Sequence, residues 1–247
     1  MNAAFQIQFD KLADKIYAIK DKKIDGLPEI EAWRILHFAK IAKMFDSFHA
    51  VIFDTKDYIT SCSLIRMIYD NWYSYMWIYE FSEGEERQLR YYLYVLDSVV
   101  QRKKTIEKLH NEVIVEKQMK RLVDNALVDC TREEQKIKTA IRNLSLFDSY
   151  KKNIETAIAS ESGWRYKSLS LEKIEFHSWS SLYERVSGKE TRAFLNYLSQ
   201  FVHGLYTSSM TIVPTLEEMS YVLQEAQSLI MSMNLYLDEN PLYQAYN

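Results

Sequence analysis

The sequence predicts an all-α protein, a helical bundle that contains a long antiparallel helical hairpin. Glycine and proline are scarce, with 5 Gly and 3 Pro in 247 residues, which disfavours a fold of many short strands. Apolar residues recur three or four positions apart through most of the chain, which is the spacing of one helix face. Two long amphipathic stretches, 86–110 and 113–144, follow each other, and an antiparallel hairpin is their simplest arrangement.

The composition is that of an ordinary globular protein, with 47% apolar and 26% charged residues. A net charge of −3 creates no overall field towards nucleic acid or anionic lipid. Cys62 and Cys130 are isolated, so neither a disulfide framework nor a cysteine metal site is indicated. The first residues lack the pattern of a signal peptide, and no stretch is typical of a membrane span. We therefore expect a cytoplasmic protein.

One domain is expected over 1–247, with N-terminal helices in 1–56 and a core over about 57–240. Its first three helices are predicted at 3–22, 29–53 and 57–81. The third is the most aromatic and is apolar on most sides, which places it at the centre of the bundle. Two S/T-x-x-E patterns, starting at Ser82 and Thr131, are typical of capping boxes. They predict a helix start at Ser82 and allow a break near Cys130.

The helical pattern weakens over 145–177, where Ser160–Ser168 is the most loop-like segment. A short helix is predicted at 178–186 and a longer one at 190–206. Pro214 followed by Thr215-Leu-Glu-Glu218 is typical of a helix start, and that helix is predicted to reach about Asp238. The tail from Glu239 onward is expected to fray.

The helix at 190–206 carries a polar stripe of Asn196, Ser199 and His203, three and four residues apart. Phe194, Leu198, Phe201, Val202 and Leu205 form its apolar face. A lone histidine on such a helix is often a core residue that Ser199 hydrogen-bonds. Histidine also titrates near neutral pH and can act as a general base or acid. Both interpretations stay open.

Three short motifs carry a family resemblance: Tyr197-Leu-Ser-Gln-Phe-Val-His-Gly204, Ser63-Leu-Ile-Arg66 and Ser162-Gly-Trp-Arg165. In this order they resemble a signature of a widespread family of bacterial all-helical proteins, which in turn is similar to the HEPN superfamily. The resemblance spans roughly 57–206. It implies a metal-independent ribonuclease of a toxin–antitoxin, CRISPR or phage-defence system, which would need no cofactor. It also implies RNA and an antitoxin or defence protein as partners.

The HEPN motif places an arginine a few residues before the histidine on the same helix, and this chain departs from that pattern. Asn196, Tyr197 and Leu198 occupy the corresponding positions. Arg192 is the nearest upstream arginine on the helix, about 16 Å from His203 at ~1.5 Å per residue. It would reach His203 only from a second chain, so a homodimer is expected.

Arg66 offers another cation, with Asp70 as its partner at i+4. The pair is either a structural ion pair or part of one polar pocket with Asn196, Ser199 and His203.

Residues 101–121 include seven basic and three acidic residues. Arg102, Lys103 and Lys104 are therefore candidates for phosphate contacts, although a solvated helix face has the same composition. No histidine has companions at metal-ligand spacing, so no metal site is predicted. Two functions follow: a HEPN-like protein that binds or cleaves RNA around His203, or a non-catalytic helical interaction module with a degenerate HEPN motif.

Overall fold

The computed structural model describes residues 3–20, 27–112, 117–202 and 214–244, and these residues are almost entirely helical. The all-α prediction is confirmed, since the described ranges contain no strand beyond an isolated bridge between Tyr166 and Phe176. A π-helical turn, Ala50–Thr55, follows α2, and a 3-10 turn covers Gly163–Arg165. The α-helices of these ranges are α1 (Ala3–Lys20), α2 (Glu29–His49), α3 (Tyr58–Tyr79), α4 (Gly84–Glu112), α5 (Lys117–Arg142), α6 (Leu146–Ala159), α7 (Trp179–Ser187), α8 (Lys189–Val202), α9 (Leu216–Glu239) and α10 (Pro241–Gln244).

The chain forms two compact units. Unit 1 comprises Met1–Tyr75 and Tyr183–Asn247, and unit 2 comprises Met76–Leu182. The boundaries fall inside α3 and α7. One domain over 1–247 stays a prediction. In the described ranges, no helix combines the length and the apolar character that crossing a bilayer requires.

The core of unit 1 is strongly aromatic. The described C-terminal tail belongs to this core, and the prediction that it frays is wrong for 239–244. Tyr243 of α10 is 1% exposed, and its hydroxyl lies 2.8 Å from that of Tyr75. The Tyr243 ring also packs on Phe38, with 5.4 Å between centroids. The buried side chain of Tyr243 therefore holds the short helix α10 in the core, although terminal segments usually fray.

Unit 2 contains the long hairpin of α4 and α5, which confirms that part of the fold prediction. Lys103 pairs with Glu134 at 3.0 Å, and His110 lies 3.5 Å from Asp124. The partner number falls as the residue number on α4 rises, so the two helices run antiparallel.

The capping prediction at Ser82 is wrong. The Ser82 hydroxyl donates back to the Ile78 carbonyl at 3.1 Å, and α4 begins at Gly84, whose φ is +52°. The Glu85 carboxylate instead accepts the backbone N–H groups of Ser145 and Leu146, at 3.1 and 3.0 Å. A residue proposed to cap its own helix thus caps the start of α6.

The other two capping patterns have opposite outcomes. A break near Cys130 is wrong, because α5 continues through Thr131 while Cys130 and Ile137 stay buried on one side of it. The pattern at Thr215 is confirmed as a full capping box. The Thr215 hydroxyl accepts the Glu218 N–H at 3.1 Å, and Glu218 accepts the Thr215 N–H at 2.8 Å.

Candidate functional site

His203 lies outside the described residues, as does the Gly204 that follows it. The other catalytic candidates, Arg66, Asp70, Asn196 and Ser199, are described and belong to unit 1. Their surroundings define what the polar stripe of α8 contacts.

Arg66 is the centre of a polar cluster in unit 1. Its side chain is 12% exposed, and its three nitrogens each donate to a different side chain. Nε donates to the Ser199 hydroxyl at 3.1 Å, and Nη1 donates to the carboxylate of Asp70. Nη2 donates to the hydroxyl of Tyr183 at 2.5 Å. The cluster therefore joins α3, α7 and α8 around one guanidinium.

Tyr183 is the member of this cluster that sequence reasoning missed. Its hydroxyl donates to Asp70 Oδ1 at 2.7 Å, and its ring lies 4.9 Å from the Arg66 Cζ atom. It is one of 18 tyrosines and follows Arg66 by 117 positions, so no local spacing marks it. Only the packing of α7 against α3 reveals the contact.

Burial sets the protonation preferences of the cluster. Burial raises the pKa of Asp70 above its ordinary value, while Arg66 and the Tyr183 hydroxyl act in the opposite direction. Burial, followed by the charge of Asp70, raises the pKa of Tyr183. Its neighbour Tyr73, which contacts Ser187 at 2.8 Å, has its pKa raised by burial to about 12. Both phenols therefore remain hydrogen-bond donors at neutral pH.

The sequence of α8 explains how Ser199 reaches Arg66. Phe194, Leu195, Leu198 and Phe201 are buried, and this apolar face seats the helix in unit 1. Ser199 lies at the edge of that face, where its hydroxyl donates to the Leu195 carbonyl at 2.9 Å. The same oxygen accepts from Arg66.

Two residues of α8 lie differently from their predicted places. Val202, which the periodicity placed on the apolar face, is 45% exposed, because the buried stripe runs through 194, 195, 198 and 201. Asn196 is exposed and is not among the hydrogen-bond partners of Arg66 or Ser199. The structure thus brings together Arg66, Asp70 and Ser199, and leaves Asn196 at the surface.

The predicted RNA-binding residues have acidic neighbours. Arg192 of α8 pairs with Glu184 of α7 at 2.5 Å. In unit 2, Lys103 pairs with Glu134 at 3.0 Å and Lys104 with Glu161 at 2.5 Å, whereas Arg102 is exposed. A carboxylate beside each of three cations reduces the attraction of these positions for phosphate.

The Ser162–Arg165 motif forms a tight turn in unit 2. Ser162 has a φ of +55°, and its N–H donates to Asp97 at 3.0 Å. A Cβ on Gly163 would lie 2.0 Å from the Ala157 carbonyl oxygen, so this position requires glycine. Trp164 is buried, and its carbonyl accepts the indole N–H of Trp77 at 3.2 Å. These contacts give the motif a structural role in this unit.

Within the described ranges, no group of three or more His, Cys, Asp or Glu side chains could hold a metal ion. Comparisons with protein families, with characterised proteins and with solved structures find no significant match. The HEPN resemblance therefore depends on the three sequence motifs alone.

Proposed function

We propose that this chain is a HEPN-like RNA-binding protein of a bacterial stress or defence system, which cleaves RNA around His203. Arg66 supplies the cation that the motif helix lacks. The observation that supports this is the 3.1 Å hydrogen bond from Arg66 Nε to Ser199, four residues before His203 in the sequence. A cation from α3 is thereby placed on the polar stripe of α8.

Arg66, Tyr183 and Ser199 form a group suited to a phosphate. A guanidinium binds phosphate oxygens through directed N–H donors, and two hydroxyls beside it add further donors. The Asp70 carboxylate balances the charge of Arg66 in the free protein and is 30% exposed. Because it faces solvent, Asp70 is the partner that an incoming phosphate would replace.

The proposed reaction is transesterification within RNA. His203 takes the proton from a ribose 2′-hydroxyl, and the 2′-oxygen attacks the adjacent phosphorus. The bond from phosphorus to the 5′-oxygen breaks, and that oxygen takes up the proton that His203 has accepted. The products are a 2′,3′-cyclic phosphate and a 5′-hydroxyl end, and Arg66 stabilises the charge that develops on the phosphate oxygens.

A non-catalytic helical interaction module is the second candidate. The observation that favours it is that each of the three nitrogens of Arg66 already donates to a protein side chain. In this account the cluster fixes how α3, α7 and α8 pack, and the polar residues have no substrate.

Incubation of the protein with a panel of single-stranded RNAs in the presence of chelator distinguishes the two. Cleavage without metal is expected, with a fall on the order of 10²-fold or more in His203→Ala. His203→Asn is the gentler variant, and circular dichroism of each protein verifies that it is folded. Arg132→Gln is a matched control, because it removes an exposed cation that belongs neither to the cluster nor to the predicted RNA-binding residues. An RNA panel left intact by the wild-type protein favours the interaction module.

A further inference from the structure

A cavity of about 260 Å³ lies in unit 2, between α4, α5 and the C-terminal end of α6. Its floor is apolar and includes Leu96, Val100 and Ala157. Charged side chains of both signs also line it, namely Asp97, Lys104, Glu134, Lys138 and Glu161. A recess that combines an apolar floor with a few polar groups is typical of sites for small ligands.

The volume of the cavity limits the size of its ligand. A water molecule occupies about 30 Å³ in the liquid, so the cavity holds about nine groups of that size. A sphere of the same volume is about 8 Å across, whereas drug-sized ligands fill pockets of roughly 300–1,000 Å³. The cavity therefore fits a small metabolite, and a nucleic-acid strand or a folded segment of another protein exceeds it.

The wall of the cavity on α5 carries a net positive charge. Glu134 accepts hydrogen bonds from Lys138 at 2.6 Å and from Lys103 of α4 at 3.0 Å, and its side chain is 13% exposed. The hydrogen bond from Lys138 lowers the pKa of Glu134, so this carboxylate is ionised at neutral pH. Two cations around one carboxylate leave a charge of +1. The nearby carboxylate of Glu155 is paired with Arg142 at 2.9 Å, and this neutral pair leaves the sign unchanged.

The other wall, formed by α4 and the turn after α6, carries a net negative charge. Lys104 pairs with Glu161 at 2.5 Å, and the charge of Asp97 also acts on Lys104. Asp97 accepts the N–H of Ser162 at 3.0 Å and its hydroxyl at 3.5 Å, and neither of these donors is charged. One cation among two carboxylates leaves a charge of −1. The cavity is therefore neutral as a whole, with its two signs on different walls.

We propose that this cavity binds an ω-amino acid, a zwitterion whose carboxylate and ammonium groups are joined by a chain of methylene groups. The ligand carboxylate accepts from Lys138, whose ammonium group has three donors and gives one to Glu134. The ligand ammonium group donates to Asp97, because a carboxylate has acceptor sites beyond the two that Ser162 uses. The methylene chain lies on the apolar floor and is removed from water there.

The separation of the two charges excludes other classes of small ligand. A phosphate ester matches the wall on α5 but is repelled by Asp97, and a polyamine matches Asp97 but is repelled by Lys138. An α-amino acid carries both charges around a single carbon atom, so it cannot reach both walls of a cavity about 8 Å across. The site belongs to unit 2, whereas Arg66 belongs to unit 1, and the proposal is independent of the proposed function.

Isothermal titration calorimetry of the full chain with 6-aminohexanoate, an ω-amino acid of suitable size, tests the proposal. A ligand this small should bind with a Kd of about 0.1–1 mM. Hexanoate and hexylamine keep the chain and one charge each, and both should bind at least about 10-fold more weakly. Glycine, whose two charges lie close together, should give no heat of binding over the same range.

Two variants assign the ends of the ligand, after circular dichroism has verified that each is folded. Asp97→Asn should weaken 6-aminohexanoate about 10-fold and leave hexanoate unchanged, and Lys138→Gln should weaken both acids and leave hexylamine unchanged. Lys136→Gln on the same helix is the matched control, because Lys136 is exposed and does not line the cavity. Wild-type protein that gives no heat with 6-aminohexanoate up to about 5 mM overturns the proposal. So do equal affinities for the acid, the amine and the zwitterion, or a wild-type affinity in both cavity variants.

Discussion

Each unit contains an enclosed arginine paired with a carboxylate one helical turn away, and the two sites differ in what surrounds the guanidinium. Arg90 of unit 2 is 2% exposed and lies between two rings, 4.1 Å from the Trp77 centroid and 4.2 Å from that of Tyr166. It donates to the Tyr166 carbonyl and to Glu86, at 3.2 and 3.0 Å. Arg66 of unit 1 has a single ring beside it and donates to three side chains.

The difference separates a structural arginine from one that can exchange partners. Two aromatic faces and a backbone carbonyl enclose Arg90 and cannot turn away without unpacking the unit, although its carboxylate partner Glu86 is 41% exposed. Arg66 is held by hydroxyls and by a carboxylate that is 30% exposed, and such side chains can rotate. An ion pair at i,i+4 therefore indicates little about function until its surroundings are known.

Removal of the Arg90 side chain should have the largest effect on the free energy of unfolding. Arg90→Ala is expected to lower the free energy of unfolding by about 3–5 kcal/mol, because it removes two ring contacts and leaves a cavity where a buried side chain packed. Urea unfolding measures the loss. Arg132→Ala on α5, whose side chain is 76% exposed, is the control and should cost less than about 0.5 kcal/mol. If Arg90→Ala and Arg132→Ala lower the free energy of unfolding equally, then the enclosure of Arg90 by its two rings does not contribute to stability.

Removal of Asp70, the ion-pair partner of Arg66, should lower the free energy of unfolding by a smaller amount. Asp70→Ala is expected to lower the free energy of unfolding by about 2–3 kcal/mol, since it leaves a mostly buried guanidinium without its counter-charge. The cost is below that of Arg90→Ala because Asp70 is partly exposed and water can take its place. An unfolding midpoint equal to that of wild type would place the charge of Arg66 in solvent.

Acid is expected to weaken unit 1, which holds Arg66, through the titration of His37. This histidine is buried with its ring 5.7 Å from that of Tyr75, and burial, followed by the charge of Lys40, lowers its pKa to about 3. The folded pKa lies below the unfolded value, so the stability is present above about pH 6.5 and is lost as the pH falls. The loss should be about 1.4 kcal/mol per pH unit, or about 2 kcal/mol by pH 5.

Urea unfolding of wild type and His37→Gln at pH 7 and pH 5 isolates this contribution. The variant should lose less stability than wild type on acidification, since its side chain does not titrate. Parallel losses in both proteins would show that His37 does not carry the effect.

The smallest expected effect concerns Tyr183. Tyr183→Phe removes a hydroxyl that accepts from Arg66 and donates to Asp70, while the ring remains beside the guanidinium. We expect a loss of about 1 kcal/mol, the usual contribution of one hydrogen bond. Thermal unfolding measures it, with Tyr150→Phe on exposed Tyr150 as the control.

Local sequence patterns predicted the structural features that depend on residues close together in the chain. The helices, the hairpin, the capping box at Thr215 and the pairing of Arg66 with Asp70 all follow from spacings of three or four residues. The predictions failed where a distant partner decides the outcome. Glu85 caps a helix 60 residues away, and Tyr243 is held by Tyr75 across 168 residues.

The residues of the candidate site also fall into those that local spacing predicts and those that depend on distant contacts. Ser199 was identified from the polar stripe of its helix, and its contact with Arg66 follows from the packing of α3 against α8. Tyr183 carries no signal in its own neighbourhood, because its role is created by residues 113 and 117 positions earlier. Asn196 shares the stripe but points to solvent, since the buried face of α8 sets how the helix is rotated.

Equilibrium binding of a fluorescent single-stranded RNA to wild type, Arg66→Met and Asp70→Asn tests most directly whether Arg66 is open to a phosphate. Each variant is first shown to be folded by circular dichroism. Wild type should bind, and Arg66→Met should weaken binding by about 10-fold, the effect of roughly 1.4 kcal/mol. Asp70→Asn should strengthen binding, because the carboxylate that competes with phosphate becomes neutral. Three superimposable curves, or no binding by any of the proteins, would contradict the account and leave Arg66 a structural residue like Arg90.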